Sequence, residues 1–287
     1  MTIHGPLAAR GQIGRALATA AGGAAFVGAY DAFAASLAHV YEPARRTLTS
    51  YIGDLCRLRR ASDNAERDWG YLVNGDLNVA GITAWLGGAN GYVVSVYDQV
   101  AGDTITQADI TKQPLYVANA RNGHAGPYFD GTNDYLQGAF TTGGSLSQPF
   151  HQFAVAKNDA PDNFNRYILD GDNAVGVNSV FVGRRFPAAT RFIYSGVVVS
   201  GGALDSAWRV WSALFNGASS ELRTNGALEG SGNAGTNNSD GITIGARGDI
   251  TNFYFGYIPT VIVCDPSLGA GDRAAMETAI NAYWVVY

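Results

Sequence analysis

Charge is what this 287-residue chain has least of: 15% of its residues are Asp, Glu, Lys or Arg, against about a quarter in an ordinary soluble domain. The net charge of −5 supplies no basic face to displace counterions, which argues against nucleic-acid binding. One basic cluster, Arg57, Arg59 and Arg60, is answered at once by Asp63, Glu66 and Asp68. Cysteine is nearly missing too. Cys56 and Cys264 cannot make a disulfide framework or a zinc cluster, and Cys264, inside the apolar run TVIVC, reads as a buried thiol. No Gly-x-Ser-x-Gly elbow appears, and none of the four histidines (His4, His39, His124, His151) has a serine- or cysteine-hydrolase setting. No membrane span is expected, since the apolar N-terminal stretch is too short and too glycine-rich.

What is present is strand material. Hydrophobic residues make up 47% of the chain and glycines number 37. Short β-branched and aromatic runs such as GYVVSVYDQ, FHQFAVAKN, RFIYSGVVVS and FYFGYIPTVIVCD alternate with turn residues. Asn225-Gly226 is the strongest hairpin mark. About a dozen strands without intervening helices predict an antiparallel sandwich or barrel. Three helices are predicted: residues 31–50, from the spacing of Phe33, Leu37 and Val40; residues 79–88; and a C-terminal helix with Met276, Ile280 and Tyr283 on one stripe. Residues 1–30 are rich in Ala and Gly, with Arg10 and Arg15 and no acid before Asp31. They superficially resemble a secretory signal, but the apolar part is poor in leucine, so the segment reads as a retained arm.

Several stretches carry a resemblance. Arg59, Arg60, Ser62, Asp63 and Asn64, then Tyr97-Asp98-Gln99, Gln107, Gln113-Pro114 and the string FDGTNDYL occur in one order. That order resembles the concanavalin A/laminin-G-like jelly rolls, in particular the catalytic-domain-like module of arabinofuranosidase B and its phage-encoded versions. The resemblance implies an all-β antiparallel jelly-roll sandwich over residues 46–287, with a C-terminal helix. Residues 1–45 would be a short helical attachment arm. After Gln99 the chain reads VAGDTIT, where the family has a Ser-Gly-rich loop, so any function of that loop is not carried over.

The phage-encoded versions imply a virion surface protein: a capsid or tail fibre, spike or decoration. It would hold other virion proteins through its arm, bind host-surface polysaccharide, and form a homo-oligomer. The alternative is a glycoside hydrolase of arabinofuranosidase type, which needs two carboxyl groups facing one sugar. Of the five glutamates, Glu66 fits best, with Asp63 and Asp68 nearby, while Glu42, Glu221, Glu229 and Glu277 lie in less suitable settings. No pair is compelling, so no residue is assigned a catalytic role and the chain is expected not to be an enzyme. For sugar binding, rings that stack on pyranose faces and polar groups that bond hydroxyls are sought. The candidates are Trp69, Tyr71, Asp98, Gln99, Tyr254 and Tyr257. No cofactor or metal ligand is assigned. A structural calcium remains open, with Asp130, Asn133 and Asp134, the string DGDN (170–173) and the string SDG (239–241) as oxygen donors. Within FDGTNDYL, Asp130-Gly131 is expected to turn one strand into the next.

Overall fold

β-Branched and aromatic runs bounded by Gly, Asn and Asp favour extended backbone, and here they pair. The computed structural model describes residues 25–159, 164–171, 180–185 and 189–287. Within them lie strands β1 (Leu37–Tyr41), β2 (Cys56–Arg60), β3 (Glu66–Trp69), β4 (Gly91–Val96), β5 (Ile105–Thr106) and β6 (Leu115–Arg121). Next come β7 (His124–Asp130), β8 (Leu136–Ala139), β9 (Phe150–Asn158), β10 (Arg166–Asp170), β11 (Phe181–Arg185) and β12 (Thr190–Tyr194). The last six are β13 (Val198–Ala203), β14 (Arg209–Phe215), β15 (Ser220–Thr224), β16 (Ala227–Gly232), β17 (Gly241–Ile244) and β18 (Phe255–Cys264). Helices α1 (Val79–Leu86) and α2 (Ala270–Trp284) complete the set.

Every pairing is antiparallel, and together they form one large, nearly closed sheet. One limb runs β1–β18–β9–β14–β15–β16. The other runs β3–β2–β4–β5–β8–β17–β10–β11–β12–β13. The β6–β7 hairpin ties them, with β6 meeting β4 at Leu115 and Tyr92 and β7 lying along β18. Between the limbs sits the main core, with Leu58, Val93, Leu136 and Ile168 opposite Phe150, Trp211 and Val263. The other face of β9 and β18 carries Phe153, Val155 and Ile262, covered by Met276, Ile280 and Trp284 of α2. Central strands buried on both faces must be apolar at consecutive positions, which is why TVIVC does not alternate.

The predicted turn chemistry holds at Asn225-Gly226. Both residues have positive φ (51° and 77°), and they join β15 to β16 as a two-residue hairpin with Thr224 opposite Ala227. Helix α1 also forms where expected. The Asn78 side chain accepts from Gly81 N at 3.0 Å, and Gly87 ends the helix at φ 59°.

The helix expected over residues 31–50 does not form. A 3-10 turn, Asp31–Ser36, leads into β1, whose Val40 pairs with Ile262 of β18. Phe33, Leu37 and Val40 do have helical spacing, but residues 37–41 pair along β18 and bury Leu37 and Val40 against α2 and Tyr41 in the main core. His151, on β9 between Phe150 and Phe153, is 1% exposed. Its Nδ1 accepts from Leu268 N at 3.0 Å, and burial together with the charge of Arg273 pushes the imidazole down to about 3. The segment entering α2 covers the face of β9 that a sequence reading leaves to solvent. Cys56 and Cys264 are both buried free thiols, one in each core.

The chain before β2 is bound in by a buried polar cluster. Glu42, 0% exposed, accepts from Tyr30 Oη at 2.8 Å and Arg45 Nε at 2.6 Å. The Arg45 guanidinium also lies 3.9 Å from the ring centre of Tyr283 in α2. Arg45→Met should cost about 3–5 kcal/mol, because it strands a buried carboxylate. Adding Glu42→Gln should restore most of that loss, and urea denaturation of the single and double variants measures both effects.

Candidate functional site

The stretch FDGTNDYL is a strand-to-strand corner. β7 ends at Asp130 and β8 begins at Leu136. Gly131 turns the chain at φ 75°, where a Cβ would lie 2.8 Å from that of Phe255. Asp130 Oδ1 accepts from the backbone N–H groups of Thr132 (2.7 Å) and Asn133 (3.2 Å). Asp134 reaches back, its Oδ2 accepting from Asp130 N at 3.0 Å. Both aspartates therefore do the work of an Asx-type turn.

The same corner is one wall of a cavity of about 520 Å³, whose other walls include Arg59, Tyr92, Gln113 and Tyr128. Its size lies within the range of small-ligand sites. Asp134 is only 6% exposed. Burial first, and then the nearby charge of Asp130, push its carboxyl up to about 7. Asp130 is exposed. Two carboxyl groups in unlike environments share one cavity, and one of them is held protonated close to neutral pH. That is the division of labour that acid and base chemistry on a single bond requires.

Across the cavity, Arg59 on β2 binds three segments together. Its Nε donates to Gln113 Oε1 (2.7 Å), Nη1 to Asn64 Oδ1 (2.8 Å) and Nη2 to Ile110 O (3.1 Å). The guanidinium lies 4.7 Å from the ring centre of Tyr92. One guanidinium thus ties together Asn64, Ile110 and Gln113.

The six side chains expected to bind sugar are not brought together. Asp98 is 2% exposed, its Oδ2 2.9 Å from His39 Nδ1 and its Oδ1 2.8 Å from Val40 N. Gln99, 4% exposed, accepts from Thr47 N and donates to the carbonyls of Glu42 and Arg45. Both serve as brackets for the strand β1 and the segment after it. Trp69 is core, edge-on to Trp85 with centroids 5.6 Å apart. Tyr71 is half-buried, its hydroxyl donating to Tyr51 O. Tyr254 is buried in the main core, 3% exposed, beside a void of about 10 Å³. Only Tyr257 approaches the cavity. It packs on Tyr128 at 4.7 Å and against Trp208 at 5.3 Å, so half-buried rings continue from the cavity rim across the sheet.

Glu66, the carboxylate favoured for hydrolysis, is exposed on β3 with Arg57 3.8 Å away. Asp63 and Asp68 are each held by an arginine, Arg60 and Arg57 respectively. Among the described residues no three His, Cys, Asp or Glu side chains converge on a metal position, and no helix is long and apolar enough to cross a membrane. Part of DGDN (172 and 173) and residues 1–24 lie outside the described residues.

No protein-family profile matches the chain, and no curated protein matches it in sequence. Solved structures do match. An arabinofuranosidase complexed with arabinofuranosyl-α-1,2-xylobiose superposes with a TM-score of 0.70 at 16% identity, covering 89% of this chain and 64% of that one. A GH54 α-L-arabinofuranosidase soaked with a cyclic sulfate inhibitor gives 0.68 at 17% identity, with the same coverages. A mutant GH54 α-L-arabinofuranosidase soaked with 4-nitrophenyl α-L-arabinofuranoside gives 0.68 at 15%. The chain thus spans less than two thirds of the length of these enzymes, and at such identities the likeness is one of fold.

These matches overturn the reading as a virion fibre, spike or decoration and the expectation that the chain is not an enzyme. The structures that share its fold over 89% of its length are glycoside hydrolases, whereas the virion reading stood on short motifs. Those motifs, now placed, are the turn and bracket residues of the fold itself.

The Asp134 carboxyl makes a prediction of its own. Its folded pKa of about 7 lies above the ordinary 3.8, so between those values the folded chain binds more protons than the unfolded one. The Asp134 contribution to stability therefore falls as pH rises from about 4 to about 7, opposite in sign to that of His151, whose folded value of about 3 lies below its ordinary 6.5. Allowing for solvent at the cavity mouth, this site should account for about 2–4 kcal/mol. Asp134→Asn should remove that contribution and raise the urea midpoint at pH 8 relative to the parent, which denaturation at pH 5 and pH 8 will show.

Proposed function

We propose that the chain is a glycoside hydrolase module of arabinofuranosidase type, built as a jelly-roll sandwich, with its site in the Arg59–Tyr92–Asp134 cavity. The observation that carries the reading is the Asp130/Asp134 pair. Glycosidic cleavage needs one carboxylic acid to protonate the leaving oxygen and one carboxylate to act as nucleophile or base. Asp134, kept protonated toward neutral pH by burial and by its neighbour, suits the first role, and Asp130 the second. Tyr92 and Tyr128 supply apolar walls against which a sugar ring can lie. The rings of Tyr257 and Trp208 extend that surface beyond the cavity, which suits a substrate longer than one sugar. The fold shared with arabinofuranosidases supports the choice of an arabinofuranosyl group as the first substrate to test.

The test is release of 4-nitrophenol from 4-nitrophenyl α-L-arabinofuranoside. Asp134→Asn keeps an acceptor for Asp130 N and should lower kcat/KM by about 10²–10⁴-fold. Glu66→Gln, exposed on β3 and not part of the cavity lining, should leave it unchanged. Turnover that survives in Asp134→Asn but is lost in Glu66→Gln would overturn the assignment of the site, and no turnover of any arabinofuranoside would overturn the activity.

A further inference from the structure

Among the described residues, four arginines are at least nine-tenths buried: Arg45, Arg59, Arg191 and Arg273. Three of them face a carboxylate. Arg45 pairs with Glu42 at 2.6 Å, Arg191 with Glu229 at 2.6 Å and Arg273 with Glu221 at 2.7 Å. Arg59 is the exception. It is 5% exposed, its three hydrogen bonds go to neutral amide and carbonyl oxygens, and among the described residues no carboxylate oxygen comes within ion-pairing distance of it. Buried cations are ordinarily neutralised by an opposite charge, because the cost of removing them from water is otherwise not recovered. Here the guanidinium lines the cavity of about 520 Å³, and its two terminal NH2 groups each carry a second N–H. A planar cation with unused donors at a cavity wall recognises a carboxylate by paired, charge-assisted hydrogen bonds.

We infer that the cavity takes an acidic sugar, a uronic acid unit, with its carboxylate on the guanidinium of Arg59. This places an acidic unit beside the arabinofuranosyl group of the proposed hydrolase site and rests on that reading for the placement of the sugar in the cavity. The aromatic walls hold the ring, Arg59 selects its charge, and the Asp130/Asp134 corner lies across the same space. Glu229 and Glu221 show what the chain does when it intends to neutralise a buried arginine itself, and around Arg59 it places amides instead.

The experiment is calorimetric titration of the folded chain with digalacturonate and with its methyl ester, a probe of nearly the same shape that lacks the charge. The acid should bind at least about tenfold more tightly than the ester, and added salt should shrink the difference. In Arg59→Gln the two should bind alike. Equal affinity of acid and ester for the unaltered chain would overturn the inference, even if Arg59→Gln proves unfolded by its melting curve. The two readings fail separately. Turnover of a neutral arabinofuranoside without any preference for the acid sinks the acidic subsite and leaves the hydrolase. Preference for the acid without turnover of any glycoside supports the subsite and removes the hydrolase.

Discussion

Everything in this molecule hangs on β18. It is the longest strand, Phe255–Cys264, and it carries three neighbours: β7 beside its first residues, β1 beside its last, and β9 along both. Its two faces feed two cores, Val261 and Val263 into the space between the sheet limbs and Ile262 and Cys264 beneath α2. A strand in that position must be apolar over most of its length, as β18 is apart from Thr260, and hydrogen-bonded on both edges. Meeting that demand draws residues 37–41 out of a helical pattern, brings α2 onto the sheet and buries His151.

A chain with so few charges spends a notable share of them inside. Asp98, Glu42, Arg45 and Arg59 are all buried, as is the neutral amide of Gln99, and nearly all of their partners are backbone groups or side chains from distant segments. Each ties together pieces of chain that no strand pairing joins. Asp98 holds the start of β1, Gln99 holds the residues after it, and Arg59 clamps the loops near Ile110 and Asn64. Such groups are costly to bury and costlier to leave half-satisfied, so once the loops are in place these side chains lock them. This is why the Tyr-Asp-Gln and Arg-Arg-x-Ser-Asp-Asn strings mark a fold so well and report so little about its chemistry.

The corner at Asp130 shows that structural and chemical roles can coincide. Asp134 is present because the turn needs an acceptor for a backbone N–H, yet its burial beside Asp130 alters its acidity by the same geometry. Choosing between a turn and a site was therefore the wrong question to put to these residues. The turn builds the cavity wall, and the wall holds the acid.

Much of the architecture was legible beforehand. The turn at Asn225-Gly226, the helix after Asn78, the C-terminal helix and the β-rich body follow from backbone preferences that each short stretch carries within itself. The candidate site was only half visible. Asp130 and Asp134 could be picked out as oxygen donors, but nothing in their spacing says that Arg59, Tyr92 and Gln113, drawn from three other segments, complete one cavity around them. Likewise the sugar-binding candidates were chosen by residue type, and burial removed Asp98, Gln99, Trp69 and Tyr254 from solvent. Local order is set by interactions between near neighbours, which the amino-acid string displays directly. Burial, acidity and the absence of a counter-ion at Arg59 depend on which distant segments meet, and only the folded chain decides that.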